Sequence, residues 1–244
     1  MQNKYALELK NISHRFPADE RKESEAISDI SINIERGKFV SIVGPSGCGK
    51  STLLRIALGL LKPIKGEVIR NFQKYAMVFQ NFAIFPWLSV YDNIEFGLKM
   101  SGMKKEHAEK IVSEKIKEVG LAGFENMYPK ELSGGMKQRV GIARALAMSP
   151  EVLFMDEPFS SLDTITARRL KDDLAHIWEK YDMTVVMVTH LIEEAVELSD
   201  DIIVVSQRPA HVKETLTVNL PRPRNLRSQN FFDMSDKITG LIDM

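Results

Sequence analysis

Phosphate chemistry is suggested first by Gly44-Pro45-Ser46-Gly47-Cys48-Gly49-Lys50-Ser51, which fits G-x-x-x-x-G-K-[ST] and runs on into Thr52. Glycines let successive backbone N–H groups turn inward around an anion with no Cβ in the way, and a helix opening near Ser51 adds the partial positive charge of its N-terminus. In such a loop Lys50 reaches the β- and γ-phosphates of a nucleotide, and the Ser51 hydroxyl binds Mg²⁺. A glycine-rich turn with a chance lysine is the plain alternative, and a strand before the loop with a helix after it argues against that. Cys48, the only cysteine, lies inside the loop. The nearby helix start and Lys50 are expected to favour its thiolate and make it reactive.

A second group is acidic. Val152-Leu153-Phe154-Met155 delivers Asp156 and Glu157 at the end of an apolar run. Adjacent carboxylates at a buried edge need something positive beside them, and a phosphate-bound Mg²⁺ answers that need. Asp156 would hold the ion and Glu157 would polarise the attacking water as general base. Gln80 follows the run from Tyr75 to Phe79, and His190 follows Thr184 to Val188. Ligands in open parallel sheets bind at the carboxyl ends of strands, so Lys50, Gln80, Asp156, Glu157 and His190 are expected at one edge. A third element, Leu132-Ser133-Gly134-Gly135-Met136, opens another helix. By its residues alone it is either an anion site or a capped helix with a flexible entry.

The elements that must position these groups alternate. Short β-branched runs at Lys38 to Val43, Tyr75 to Phe79, Val152 to Met155, Thr184 to Val188 and Ile202 to Val205 read as strands buried on both faces, the habit of a parallel sheet. Helical spacing follows Lys50 and recurs from Lys104 to Val119, Met136 to Ala147 and Thr166 to Lys180. The class is α/β. No convincing strand lies between about Val90 and Ala147, so this stretch reads as a helical subdomain inserted into the sheet domain. The tail LPRPRNLRSQNF reads as an extended connection before a short last helix from about Phe231. Phe82, Ile84, Phe85, Trp87 and Leu88 form more apolar mass than a loop needs, either a partner surface or a buried segment.

Composition narrows the functions. The 244 residues carry 33 Lys+Arg against 33 Asp+Glu, with 44% hydrophobic content, enough for a substantial core and without the basic field of a nucleic-acid clamp. One cysteine excludes a disulfide framework or a cysteine-rich metal site and suits a reducing compartment. No run approaches the roughly 18 apolar residues of a membrane span, and the first residues lack the apolar run of a signal peptide, so a soluble chain is expected.

Taken together, the motifs resemble the ATP-binding cassette (ABC) family over nearly the whole chain. The resemblance implies a P-loop NTPase core with a mainly parallel sheet, an N-terminal antiparallel β-subdomain and an inserted α-helical subdomain at about 86–146, all within one ATPase domain spanning 1–244. It implies ATP and Mg²⁺ as ligands, with Ser51, Gln80 and Asp156 toward the metal. Phe16 is similar to the aromatic that stacks on adenine, Gln80 to the loop glutamine that signals to a membrane partner, Asp163 to the loop linking two sites, and His190 to the switch histidine on the γ-phosphate. In the family the Ser133-Gly134-Gly135 helix of one subunit covers the nucleotide of another, and the groove near Phe82 to Leu88 receives a membrane subunit. Met136 stands where glutamine is commonest, and Leu191 where an aspartate often follows the histidine.

Within the family, VFQNFAIFPWLSVYDNIEFGL, ELSGGMKQRVGIARALA and MDEPFSSLD resemble the nitrate, sulfonate and taurine importer ATPases. The stretch from Gly66 to Tyr75 is shorter than usual there, and Arg208-Pro209-Ala210 lacks a common glycine. The little sequence left after the cassette motifs is not expected to hold the extra regulatory domain of sugar importers. Implied partners are integral membrane permease subunits, a second copy of the chain in an ATP sandwich and, indirectly, a solute-binding protein, with no nucleic acid. The implied location is the cytoplasmic face of the inner membrane, peripherally bound. Rival readings are a cassette of an exporter or vitamin-type module, and a soluble cassette ATPase acting on DNA or ribosomes.

Overall fold

A computed structural model describes residues 3–16 and 24–243. In chain order the elements are β1 (Tyr5–Phe16), β2 (Ser24–Glu35), β3 (Phe39–Val43), α1 (Lys50–Leu58), β4 (Lys65–Arg70), β5 (Tyr75–Val78), α2 (Val90–Met100) and α3 (Lys105–Glu118). There follow α4 (Gly134–Ala147), β6 (Val152–Asp156), α5 (Thr164–Tyr181), β7 (Thr184–Thr189), α6 (Ile192–Leu198), β8 (Asp201–Val205), β9 (Val212–Thr217) and α7 (Gln229–Asp243). They fall into two compact units, one of the residues up to Gln73 and from Thr184 onward, the other of Lys74–Met183.

In the first unit an antiparallel sheet of order β2-β1-β4 lies beside parallel pairings of β3 with β7 and with β8. Every residue of β3 and β7 is buried, as the unbroken apolar runs predict. β9 joins β8 antiparallel. Composition and periodicity alone do not reveal β1 and β2, and the reason is local. Their register shifts repeatedly, and Asn11 and Asp29 sit in left-handed backbone at φ 50° and 52°, their side chains joined by a 2.9 Å hydrogen bond. Such bulges break the alternation that marks a strand. Beneath β8 and β9, Phe231 and Ile238 of α7 pack with Val43, Ala195, Val196 and Leu216.

The tail after β9 is more than a connection. Arg224 donates to Val196 O at 2.5 Å, and Arg222 donates to Leu198 O at 2.6 Å while pairing with Asp200. Two cations thus close the C-terminus of α6, where free carbonyls and the helix dipole favour positive charge. Burial, with Arg222 nearby, pulls the Arg224 guanidinium down to about 10. The last helix runs 15 residues, longer than the short one expected, because Phe231 and Ile238, seven positions apart, give it one buried face.

In the second unit β5 pairs parallel with β6, and α4 packs against α2, α3, α5 and β5. No strand lies between Val90 and Ala147. The helix α2 was not expected as such; its signals are a Ser89 cap, accepting from Asp92 N at 3.1 Å, and buried Val90, Ile94 and Leu98 at four-residue spacing. No helix among the described residues is long and apolar enough to cross a membrane.

Candidate functional site

In the first unit the all-buried β3 runs directly into Gly44, and α1 begins at Lys50. Gly49 holds φ 122°, and a Cβ there would stand 2.8 Å from Ala26 O on β2, so only glycine lets the loop lie against that strand. The helix start has no side-chain cap and no acid in its first turn, the finish that favours an anion at a helix N-terminus. Lys50 is 5% exposed, and its Nζ donates to Gly44 O at 2.7 Å and Pro45 O at 2.9 Å. The ammonium is therefore held over the loop that is expected to take the phosphates. Ser51 and Thr52 occupy the first turn beside it.

β7 ends level with β3, Val43 facing Thr189, so His190 leaves the sheet next to the loop entrance. Its turn is tied by a buried pair that the sequence reading missed. Thr189 Oγ1 donates to Glu194 Oε2 at 2.9 Å and accepts from Leu191 N at 3.0 Å. The signal was present as a threonine and a glutamate five residues apart across a helix start. Phe16 ends β1, 38% exposed, with its ring edge-to-face on His14 at 5.0 Å.

Cys48 corrects the expectation of a reactive thiolate. The side chain is 2% exposed, and burial pushes its thiol pKa up, an effect that the Lys50 charge and backbone donors only partly offset.

In the second unit the parallel register sets Val78 opposite Met155, so the residues after β5 and β6 emerge together. Gln80 Nε2 donates to Glu157 Oε2 at 3.2 Å and to Ser160 Oγ at 3.3 Å, joining residues 77 and 80 positions apart. Ser160 Oγ donates in turn to Glu157 O at 3.0 Å, and Glu157 is left-handed at φ 45°. Ser160 is a further site member that the sequence reading did not single out. Asp156, 7% exposed, closes β6 beside Glu157.

Ser133 and Asp163 each cap a helix. Ser133 Oγ accepts from Met136 N at 3.3 Å at the start of α4, and Asp163 Oδ1 accepts from Thr166 N at 3.0 Å at the start of α5. Donation from Thr166 holds the Asp163 carboxyl below the usual carboxylate range. Gly135 is wedged against Thr166, with no room for a Cβ, and Gly134 faces Leu162. The 133–135 and 163–166 segments therefore form one surface. In the apolar stretch after Gln80, Phe82, Ile84, Phe85 and Leu88 are half-buried, and Trp87 alone of the five stands exposed. Trp87 is 70% exposed and Phe85 lies 4.6 Å from Phe96, ring to ring, so its buried alternative falls away for Trp87.

A family model described as ABC transporter matches residues 27–160. An uncharacterised ABC transporter ATP-binding protein of Methanocaldococcus jannaschii is 40% identical over 98% of this chain and 92% of its own. The nitrate import ATP-binding protein NrtD of Synechocystis is 42% identical over 97% of this chain and 94% of its own, and the aliphatic sulfonates import protein SsuB of Bacillus thuringiensis is 42% identical over 88% and 87%. Among solved structures, a dimeric ATP-binding cassette in a post-hydrolysis state with ADP and Pi superposes with a TM-score of 0.78 at 35% identity, covering 87% of this chain and 99% of that one. The chain belongs to the ABC transporter family and is one of its ATP-binding cassette ATPases.

Proposed function

We propose that this chain is the ATP-hydrolysing subunit of an importer for a small oxyanion or organosulfonate, acting through separate membrane permease subunits. The observation that carries the nucleotide reading is the uncapped α1 start with the buried Lys50 ammonium lying over its own loop. An incoming phosphate offers that ammonium an anionic partner in place of two carbonyls. The solute class rests on the nitrate and sulfonate import relatives.

The whole chain works as one cassette, with 86–146 as its inserted helical part. Phe16 stacks on the adenine. Gly44 to Thr52 cradle the phosphates, and Lys50 neutralises the β- and γ-oxygens. Mg²⁺ fits the donors available, since Ser51 hydroxyl, Asp156 carboxylate and the Gln80 amide oxygen are all hard oxygen ligands. Bound with ATP, the ion would neutralise charge that develops on the phosphoryl oxygens. Glu157 orients and deprotonates the attacking water, and His190 steadies the γ-phosphate from the end of β7.

Ser133, Gly134 and Gly135 cover the nucleotide of a second copy, and Asp163, on the same surface, links the two sites. The exposed Trp87, with half-buried Phe85 beside it, receives the permease at the cytoplasmic face of the inner membrane. A solute-binding protein supplies the permease, and no nucleic acid takes part. Glu157→Gln tests the chemistry. ATP binding should persist and ATP-dependent pairing accumulate, while turnover falls by about 10²-fold or more. Hydrolysis at the parent rate in a phosphate-release assay would remove Glu157 as the base.

A further inference from the structure

Gln138 in α4 is 0% exposed, and neither its Nε2 nor its Oε1 has a hydrogen-bond partner among the described residues. A buried amide loses the hydration of both atoms, and an apolar side chain of similar length would fill the space without that loss. An orphaned polar group of this kind calls for a state in which it is satisfied.

Its neighbours indicate which state. Helical spacing sets Gln138 in one stripe with Gly135 and Gly141, three residues to either side. Gly135 abuts Thr166, and a Cβ on Gly141 would stand 3.2 Å from Phe82 O. Gln138 thus sits along α4 between the helix start capped by Asp163 and the turn that follows Gln80. That turn is strained, because Phe82 and Ala83 are both left-handed, at φ 60° and 46°. Arg144 holds it by donating to Ala83 O at 2.7 Å and Phe82 O at 3.4 Å. Gln138 lies one helical turn from the point where α4 meets this strained turn.

We propose that Gln138 is a positioning residue for Gln80: when Gln80 leaves Glu157 and Ser160 to engage the nucleotide, the 81–83 turn relaxes and its backbone groups satisfy the Gln138 amide. The inference rests on the nucleotide role proposed for Gln80. The orphaned amide raises the energy of the resting arrangement and is satisfied in the engaged one, so it tilts the equilibrium toward turnover.

Two variants of the full chain test this by separate routes. Gln138→Met removes the orphaned atoms, and Ala83→Gly removes the left-handed penalty at an exposed position. Both should raise the nucleotide-free Tm, by about 2–4 °C. Both should also lower kcat with KM for ATP held within about twofold, roughly tenfold for Gln138→Met and about threefold for Ala83→Gly. A Gln138→Met protein with lower or unchanged Tm would make Gln138 an ordinary packing residue. Unchanged kcat in either variant would show that the turn does not move in the cycle. If Gln138→Met does not fold, Ala83→Gly decides alone. A parent chain that Mg-ATP does not stabilise would overturn the nucleotide reading itself, which separates that failure from failure of the Gln138 proposal.

Discussion

Two glycine-bearing helix starts in this molecule look alike in sequence and differ in finish. At α1 the N-terminus has no side-chain cap, and the buried Lys50 lies over its loop. At α4 the Ser133 hydroxyl already accepts from Met136 N, and Gly135 is packed against Thr166. The first start has no side-chain cap and carries a cation of its own, so it is suited to bind phosphate by itself. The second has spent one backbone donor on its cap and keeps the Ser133 hydroxyl proton, with its glycines beside Leu162 and Thr166 as a firm surface. It is suited to meet an anion that another molecule brings. Glycine-rich helix starts are thus told apart by capping more than by glycine count.

Lys50→Ala should break the first half of that comparison with the largest effect. Removing the ammonium deletes charge-assisted bonds to phosphate worth roughly 1.5–3 kcal/mol, about 10- to 100-fold in ATP affinity. Equilibrium titration with a fluorescent ATP analogue reads this directly. Affinity equal to the parent would mean that the loop carbonyls are the native partners of Lys50 and phosphate is not.

Ser133→Arg should do the reverse. Nucleotide affinity of the isolated chain should hold within about threefold, because in the proposed sandwich Ser133 serves the nucleotide of the other chain, while turnover falls at least about tenfold through blocked pairing. Mixing sharpens this result. In the proposed ATP sandwich, one Ser133→Arg chain with one Lys50→Ala chain places both lesions in one composite site and leaves the other whole. ATP-dependent pairing of the mixture, seen by light scattering and absent from either variant alone, is expected; no pairing would reduce the α4 start to a capped helix.

These contrasts also show what was legible in sequence. The 44–51 loop is a local pattern between a strand and a helix, so its residues can be read off directly. The ends of β5 and β6 were legible for a similar reason, since each follows an unbroken apolar run. The bond from Gln80 to Glu157 joins residues 77 positions apart and depends on the register of two parallel strands, which no spacing reveals. β1 and β2 were hidden by their bulges, and α6, at seven residues, is too short to show a period. Cys48 was misread because burial is a tertiary property. Its position promised a thiolate, and its 2% exposure reverses that promise.

Cys48 gives a third prediction. With the thiol pKa raised by burial, maleimide labelling of the native chain at neutral pH should run at least about tenfold slower than labelling of the unfolded chain, and Mg-ATP should slow it further. Labelling of native protein as fast as unfolded, measured by mass, would restore the reactive-thiolate reading and undo the burial that packs the loop onto β2.

The smallest effect belongs to the cap itself. Ser133→Ala deletes the acceptor for Met136 N but leaves the glycines and the packing against Thr166, so it should cost about 1 kcal/mol of stability. For a chain of this size that is a fall in Tm of about 2–4 °C. The α1 start, whose N-cap is Gly49, has no side-chain cap to lose. Thermal unfolding of Ser133→Ala, followed by circular dichroism, provides the measurement without nucleotide or partner. An unchanged Tm would mean that the α4 start is not held by its cap in solution, and the distinction between an open phosphate loop and a finished surface would fail at its first step.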